Sequence, residues 1–367
     1  MKRIFFLCLF GLALSLPARA TDMNKTLRVA FQVDVTGFDP AGVSDLYSAH
    51  INNAVFANLW EYDYYVRPVR FRPYLAESMP EISPDGLSWK VRLRKGLYFS
   101  DDAAFKGKKR EATAEDLIYA WKRMLDPKII SPKAWEINGK LVGADALVAE
   151  AKASGKFDYD KPIEGLKAID RYTVQMTLVK PAYTTVELMQ QYNWSPIARE
   201  VIEAYRDPGG RAMGNPVGVG PYMMKQWQKG SKIVLTRNPN FTAGTFPTEG
   251  EAGDADTLAR YKGQTLPIVG NVEVSIIEEA NPRLLSFKSG TLDYEFVGQD
   301  LIGNVVQNGK LIAEYADRGI RHQRAVESAI AYDYFNMEDP VVGGYSPDRI
   351  ALRRAIIMSY PDRKSVV

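Results

Sequence analysis

Residues 74–127 place a turn, a strand and a helix close together, each with its own sequence pattern. Trp89, Val91 and Leu93 alternate with charged residues, and this period of two is typical of a strand that is buried on one face. Pro84-Asp85-Gly86 precedes the alternation and supplies turn-forming residues. The sequence here therefore predicts a turn followed by a half-buried strand.

The segment after this strand has the start signal, the periodicity and the stop signal of an amphipathic helix. Thr113 is a helix N-cap residue, and Asp126-Pro127 ends the pattern because proline does not continue a helix. The apolar residues that fall on one face between these limits are Leu117, Ala120, Trp121, Met124 and Leu125. We therefore predict a helix that begins just after Thr113 and packs this face on a core.

The order of these motifs resembles the oligopeptide-binding family of extracellular solute-binding proteins (bacterial solute-binding protein family 5), the receptors of ABC importers. In that family an Ala-Glu-Ser stretch, an Asp-Gly turn, a Leu-Arg-Lys-Gly strand end and a Thr-Ala-Glu-Asp helix start follow one another at this spacing. The matching residues here are 76–78, 85–86, 93–96 and 113–116. Two later motifs of the family are similar to residues 218–222 and 289–293.

The resemblance implies an α/β fold of the two-lobed periplasmic-binding-protein type (type II, in its three-domain oligopeptide-binding variety). Domain I is expected to be discontinuous, over residues 21–51 and 181–271, and domain II to cover 52–180. Residues 272–367 are expected to begin domain III and to leave it incomplete, because family members continue for a further domain-sized stretch. We therefore expect a C-terminally truncated member, whether as a fragment, a frameshifted reading or an interrupted gene.

Periodic apolar residues predict further elements along the chain. Strands are expected at residues 27–31, 172–178, 233–235, 272–276 and 292–294. Helices are expected at 50–60, at 141–155, in two pieces within 182–205, and from Asn281 as the cap to Gly290. The resemblance adds an aromatic strand at 332–336 and a helix around 353–356.

The N-terminus has the three parts of a secretory signal peptide. Lys2 and Arg3 are basic, residues 4–16 are apolar, and Ala18-Arg19-Ala20 fits the small-x-small cleavage rule. The apolar run is shorter than the about 20 residues that cross a bilayer, so a retained membrane anchor is the weaker interpretation. We expect cleavage after Ala20 and export to the periplasm.

Charge and cysteine content describe the mature protein that this cleavage leaves. Loss of Lys2, Arg3 and Arg19 reduces the 47 basic residues to 44, equal to the 44 acidic ones. A formally neutral chain gives no indication of a nucleic-acid partner. The single cysteine, Cys8, lies in the leader, and Leu7 before it does not fit a lipoprotein signal.

The residues that carry most enzyme chemistry are sparse. The two histidines, His50 and His322, are far apart, and we interpret His50 as a residue that opens a helix and His322 as solvated. No Gly-x-Ser-x-Gly motif occurs, and Glu278 and Glu279 are adjacent, so that on a strand their side chains point apart. We therefore expect no enzyme, no metal and no cofactor.

Candidate ligand-binding residues come from the resemblance. In well-studied receptors the loop after the first Asp-Pro contacts the ligand, and here this implies Ser44 and Leu46 at the cleft edge, Leu46 through its backbone. A tyrosine after a Ser-Pro pair is another family contact. This sequence has Lys133 at that position, so Lys133 or the nearby Trp135 is expected to line the cleft and to favour an acidic or aromatic ligand group. The alternative for each residue is an exposed loop.

The implied function is a monomeric periplasmic substrate-binding component of an ABC importer that delivers oligopeptides or dipeptides to an inner-membrane permease. Alternatives are a receptor for an opine, a nickel chelate or a haem-like group, a sensor or assembly module, or an exported hydrolase. A non-functional fragment is a further alternative. Because the third domain is expected to be incomplete, we also expect the chain as written to bind ligand poorly or not at all.

Overall fold

A computed structural model of the chain describes residues 23–324 and 332–359. The chain divides into two compact units, residues 1–301 and 302–367. The predicted signal peptide and its cleavage site after Ala20 lie outside the described residues.

Strands and short helices alternate along the described residues. The strands are β1 (Thr26–Phe31), β2 (Trp60–Tyr62), β3 (Phe71–Pro73), β4 (Glu81–Ile82), β5 (Ser88–Arg92), β6 (Leu166–Ala168), β7 (Thr173–Thr177), β8 (Tyr222–Gln228), β9 (Lys232–Arg237), β10 (Asn271–Ile276), β11 (Val306–Gln307) and β12 (Lys310–Leu311). The α-helices are α1 (Leu46–Phe56), α2 (Ala114–Leu125), α3 (Ala144–Ser154), α4 (Thr185–Leu188), α5 (Arg199–Tyr205), α6 (Ala255–Tyr261), α7 (Ala280–Lys288), α8 (Gln299–Ile302), α9 (Ala313–Ala316) and α10 (Pro347–Met358).

The first sheet of the larger unit combines three distant parts of the chain, in the order β1-β10-β9-β8. β1 and β10 are parallel, with Leu27 opposite Val272, and the other neighbours are antiparallel. Ile233, Leu235 and Val274 point into the core and are buried. The pairing of β1 with β10 brings residues near the two ends of this unit into one sheet. The expected boundaries of the three domains stay a prediction.

The second sheet is antiparallel, in the order β4-β5-β7-β6, and α2 packs against β6 and β7. Trp89 and Val91 on β5 face the core together with Val174 and Met176 on β7. The alternating pattern predicted for β5 is therefore confirmed. The turn before it is confirmed as well, since the Gly86 amide donates to the Ser83 carbonyl at 2.8 Å.

The helix predicted after Thr113 is confirmed as α2. Its five predicted core residues are all buried. Asp116 holds the N-terminus, because its carboxylate accepts hydrogen bonds from the Thr113 amide at 2.7 Å and the Thr113 hydroxyl at 3.0 Å. The Arg110 guanidinium donates a hydrogen bond to the same carboxylate, from Nη2 to Oδ1 at 2.7 Å. At the other end the helix stops before Asp126, as the following proline requires.

Residues 218–222 pack against the end of α1 through glycine. The Gly220 amide donates to the Val55 carbonyl at 2.8 Å. A Cβ atom on Gly220 would lie 2.6 Å from that carbonyl oxygen and 2.7 Å from the Ala54 oxygen. Only a residue without a side chain allows this approach, which joins the turn before β8 to α1.

The predicted helix at 50–60 is wrong in its limits. Asp45 caps α1 by accepting the Ser48 amide at 2.8 Å, so the helix starts four residues earlier, at Leu46. It ends at Phe56 because Ala57 has a φ of 59°, outside the helical region. Trp60 belongs to β2 and pairs with Pro73 on β3.

Other predictions along the chain have mixed outcomes. The remaining predicted strands at 27–31, 172–178, 233–235 and 272–276 and the helix at 141–155 are confirmed within three residues. The helix around 353–356 is confirmed as part of the longer α10, and the broken helical region within 182–205 is confirmed by α4 and α5. Asn281 as a cap is wrong, since α7 has Glu279 at that position.

The predicted strands at 292–294 and 332–336 are also wrong. The Asp293 amide bonds to the Arg28 carbonyl at 2.8 Å beside β1, but the contact does not extend into a ladder. Tyr332 and Tyr334 are exposed on an irregular segment. A strand needs a neighbouring strand to bond with, and in the described part of the chain neither segment has one.

Candidate ligand-binding site

Ser44 and Leu46 lie at the start of α1. Both side chains are exposed, Leu46 by 63%. Their loop is held from inside, because the Val43 carbonyl accepts a hydrogen bond from the Tyr192 hydroxyl at 3.0 Å. Asp45 between them caps the helix and accepts from the Thr36 hydroxyl at 2.5 Å. The exposed residues are therefore presented by a fixed turn.

The same face of α1 lies beside the carboxyl end of β1. The Tyr47 ring is 4.7 Å from the ring of Phe31, the last residue of β1, and the His50 ring is 6.0 Å from it. Leu46 and His50 are four residues apart and therefore neighbours on the helix surface. Because α1 runs from Leu46 to Phe56, His50 lies near its middle. The prediction that His50 opens the helix is therefore wrong. In α/β sheets, ligands bind beyond the carboxyl ends of the strands.

Lys133 and Trp135 belong to a second segment, where residues 134–136 form a single 3₁₀ turn. The Trp135 ring is 60% exposed, and the Lys140 ammonium lies 5.3 Å from its centroid. The Lys133 side chain is only 16% exposed and points inward. Its ammonium donates to Gln191 Oε1 at 2.8 Å.

A buried carboxylate, Glu136, lies beneath Lys133. Its side chain is fully buried, and Oε2 accepts hydrogen bonds from Asn193 Nδ2 at 2.8 Å and from Trp194 Nε1 at 2.6 Å. Its second oxygen, Oε1, is 3.5 Å from the Lys133 ammonium. The geometry therefore pairs Lys133 with an acid that solvent does not reach.

Residues 191–194 join the two predicted segments. Tyr192 bonds to the loop before α1, while Gln191, Asn193 and Trp194 bond to Lys133 and Glu136. Burial raises the pKa of Tyr192 well above its ordinary value, and the carboxylates of Asp45 and Glu136 raise it further. The four predicted residues thus flank one buried segment, and their contact with ligand stays a prediction.

Sequence reasoning missed Glu136 and the residues that hold it. The three-residue spacing of Lys133 and Glu136 was available as a signal, since a 3₁₀ turn places such residues on one side. No local pattern pointed to Asn193 and Trp194, which are 57 and 58 residues further along the chain. The sequence pattern of that region predicts only a break between two helical pieces.

Other candidate groups do not assemble into a reactive site. Glu278 and Glu279 are both exposed, and Glu279 precedes α7. Among residues 23–324 and 332–359, no three or more His, Cys, Asp or Glu side chains are arranged to hold a metal ion. Within the same ranges, no helix combines the length and the apolar composition that crossing a bilayer requires.

Comparison with known proteins places the chain among solute-binding proteins. Residues 70–367 match the family model described as "Bacterial extracellular solute-binding proteins, family 5 Middle". The periplasmic oligopeptide-binding protein OppA of Escherichia coli (strain K12) is 30% identical over 235 residues, covering 63% of this chain and 39% of that protein. A dipeptide-binding protein of Lactococcus lactis subsp. cremoris is 26% identical over 297 residues, covering 81% and 48%.

Solved structures show the same fold. The periplasmic binding protein DppA of Helicobacter pylori, in complex with the peptide STSA, superposes with a TM-score of 0.57 at 22% identity, over 76% of this chain and 48% of that one. OppA of Listeria monocytogenes, bound to peptide, gives a TM-score of 0.58 at 18% identity, over 77% and 48%. The predicted α/β fold of periplasmic binding proteins is therefore confirmed.

These relatives are much longer than the matched region. The chain spans 39% of the Escherichia coli protein and 48% of the Lactococcus lactis protein. The family match itself covers most of this chain and includes the segment around Lys133 and Glu136. On these grounds the chain belongs to family 5 of the bacterial extracellular solute-binding proteins.

Proposed function

We propose that this chain is the periplasmic substrate-binding component of an ABC importer and that its ligands are oligopeptides or dipeptides. Family membership is the observation that carries the proposal. The relatives named above, an oligopeptide-binding and a dipeptide-binding protein, support peptides as the ligand class. Binding without turnover is the activity proposed, in keeping with the family.

Export and delivery complete the proposal. Residues 1–20 act as a signal peptide that is cleaved after Ala20, which releases the protein into the periplasm. The ligand-loaded monomer then docks on an inner-membrane permease. Ligand drives closure only to the extent that it binds the closed form more tightly than the open one.

Ser44, Leu46, Lys133 and Trp135 are the proposed ligand contacts. Leu46 and Trp135 are largely exposed although they are apolar, and burying them against a ligand is favourable. Their supporting loops are fixed by buried hydrogen bonds that Tyr192 donates to Val43 and Trp194 donates to Glu136. A rigid surface with exposed apolar side chains loses little conformational entropy when it binds.

Titration calorimetry of the purified mature chain tests the proposal. Di-, tri- and tetrapeptides are compared with an opine, a nickel chelate and haem, and we expect peptides alone to bind, and only weakly, in line with the poor binding expected from the sequence. Trp135→Ala is expected to weaken peptide binding, whereas Tyr64→Ala, at a residue that is 69% exposed on a different loop, is the matched control. Binding of another solute in place of peptides would contradict the proposal. Binding of none of the tested ligands would also contradict it and would favour a non-functional fragment.

A further inference from the structure

The charge of Lys133 is balanced within the protein. Its ammonium lies 2.8 Å from the amide oxygen of Gln191 and 3.5 Å from the carboxylate of Glu136. An ammonium group carries three protons, and one of them is donated to Gln191. Lys133 therefore keeps donor capacity for a ligand but brings no uncompensated positive charge.

Glu136 is held in place independently of Lys133. Two hydrogen bonds, from Asn193 and Trp194, fix Oε2, and the whole side chain is shielded from solvent. A buried carboxylate interacts strongly with a nearby cation because the surrounding dielectric is low. Its charge therefore acts on the same space that a ligand group beside Lys133 would enter.

The other charged groups of the two segments do not change this balance. Lys140 lies over the Trp135 ring, and Asp45 caps α1 next to Leu46. Together with Lys133 and Glu136, these groups make two positive and two negative charges. An acidic ligand group that approaches Lys133 is attracted by the ammonium and repelled by Glu136.

Resting on the function proposed above, we propose that Glu136 determines the ligand preference of this subsite and that the subsite takes an uncharged aromatic side chain of a peptide. Trp135 supplies an exposed ring for stacking, with offset or edge-on geometry. Lys133 supplies a hydrogen-bond donor. The negative charge of Glu136 repels an acidic ligand group and so offsets the attraction of the Lys133 ammonium for it. The sequence leaves an acidic or an aromatic ligand group open at Lys133 and Trp135, and this proposal favours the aromatic one.

Peptides that differ in one residue test this proposal on the full mature chain. Tetra-alanine is compared with its variants that carry Phe, Glu or Lys at each position in turn, by ligand-observed NMR, which detects weak as well as tight binding. For the wild type we expect Phe variants to bind best at one position and the Glu and Lys variants to bind about equally there. Glu136→Gln is expected to strengthen binding of the Glu variant over the Lys variant by about three- to fivefold.

Two further variants complete the charge cycle. Lys133→Met leaves Glu136 uncompensated and is expected to favour the Lys variant, while the double variant Lys133→Met/Glu136→Gln is expected to restore the wild-type ranking. Glu164→Gln, at an exposed carboxylate elsewhere on the surface, changes the net charge equally and is expected to change nothing. If Glu136→Gln does not fold, as judged by circular dichroism, Lys133→Met decides, because it keeps Glu136 and is expected to shift the ranking towards the Lys variant.

The outcomes separate this inference from the function on which it rests. A wild type that binds none of the peptides overturns both. A wild type that binds peptides with a clear preference for Glu overturns only the inference about Glu136. The same holds if folded Glu136→Gln keeps the wild-type ranking, or if the double variant fails to restore it.

Discussion

Arg123 and Asp39 form an ion pair in the interior, with two parallel hydrogen bonds of 2.7 and 2.8 Å. Their side chains are 1% and 0% exposed. Asp39 also accepts the Ala212 amide at 2.7 Å, and Arg123 donates to the Gly210 carbonyl at 2.9 Å. The pair therefore joins α2 to two loops, one of which leads to Ser44 and Leu46.

Breaking this pair is expected to destabilise the protein strongly. Arg123→Met leaves the Asp39 carboxylate buried without its cation, which costs about 3–5 kcal/mol. Urea denaturation followed by circular dichroism measures the change. Glu150→Gln removes one partner of the exposed ion pair with Lys161 and is expected to cost less than about 1 kcal/mol. Equal losses in the two variants would contradict this account.

Acid is expected to weaken the fold partly through Asp39. Burial raises the pKa of this carboxyl, but the charge and hydrogen bonds of Arg123 outweigh burial and hold the pKa below its ordinary value. A carboxyl whose pKa is lowered by folding stabilises the folded state at pH values above the ordinary aspartate pKa of about 4. This stabilisation is lost as the pH falls through the pKa of the folded state.

Denaturation measured from pH 7 down to pH 2 tests this dependence. Asp39→Asn is expected to be less stable than the wild type at pH 7, and the difference is expected to shrink below about pH 4. Burial raises the pKa values of Asp116 and Glu61, so these two groups change stability with pH in the opposite direction. Both groups are present in the wild type and in Asp39→Asn, and their effect therefore cancels in the comparison. A difference that stays constant with pH would exclude the proposed linkage.

The N-terminus of α2 is expected to depend on Asp116 more than on its neighbour. Asp116→Ala removes the acceptor of the Thr113 amide and of Arg110, and hydrogen bonds to a charged group contribute about 1.5–3 kcal/mol. Glu115→Ala, at an exposed residue of the same turn, is expected to cost a few tenths of a kcal/mol. Chemical denaturation of both variants measures the difference, which would be absent if Asp116 only adds helix-dipole charge.

Gly220 is expected to tolerate no side chain. Gly220→Ala places a methyl group against the backbone of Ala54 and Val55, and overpacking of this kind costs about 1–3 kcal/mol or more. Gly253→Ala is the control, since a Cβ atom there has no heavy atom within 4 Å. Thermal unfolding of the two variants is the measurement, and a Gly220→Ala protein as stable as the wild type would show that α1 can move away.

The elements that sequence reasoning predicted well are those with strong local periodicity. Trp89, Val91 and Leu93 alternate over a short stretch, and Thr113 with Asp126-Pro127 marks both ends of α2, so neighbouring residues determine these elements. Family membership was predictable for the same reason, because the motifs at 76–116 occur in a fixed local order. By contrast, the sequence pattern does not single out Asp45 as the N-cap of α1. Several polar residues near Asp45 are equally good candidates for the start of the helix.

What the chain by itself determined is thus its local structure and its family. Tertiary structure alone decided that 292–294 and 332–336 are not strands, since an alternating segment becomes a strand only where a neighbour supplies hydrogen bonds. It also decided the surroundings of Lys133, whose partner Glu136 is held by Asn193 and Trp194 from a distant part of the chain. Such contacts depend on how the segments pack, and short-range sequence patterns contain no record of that packing.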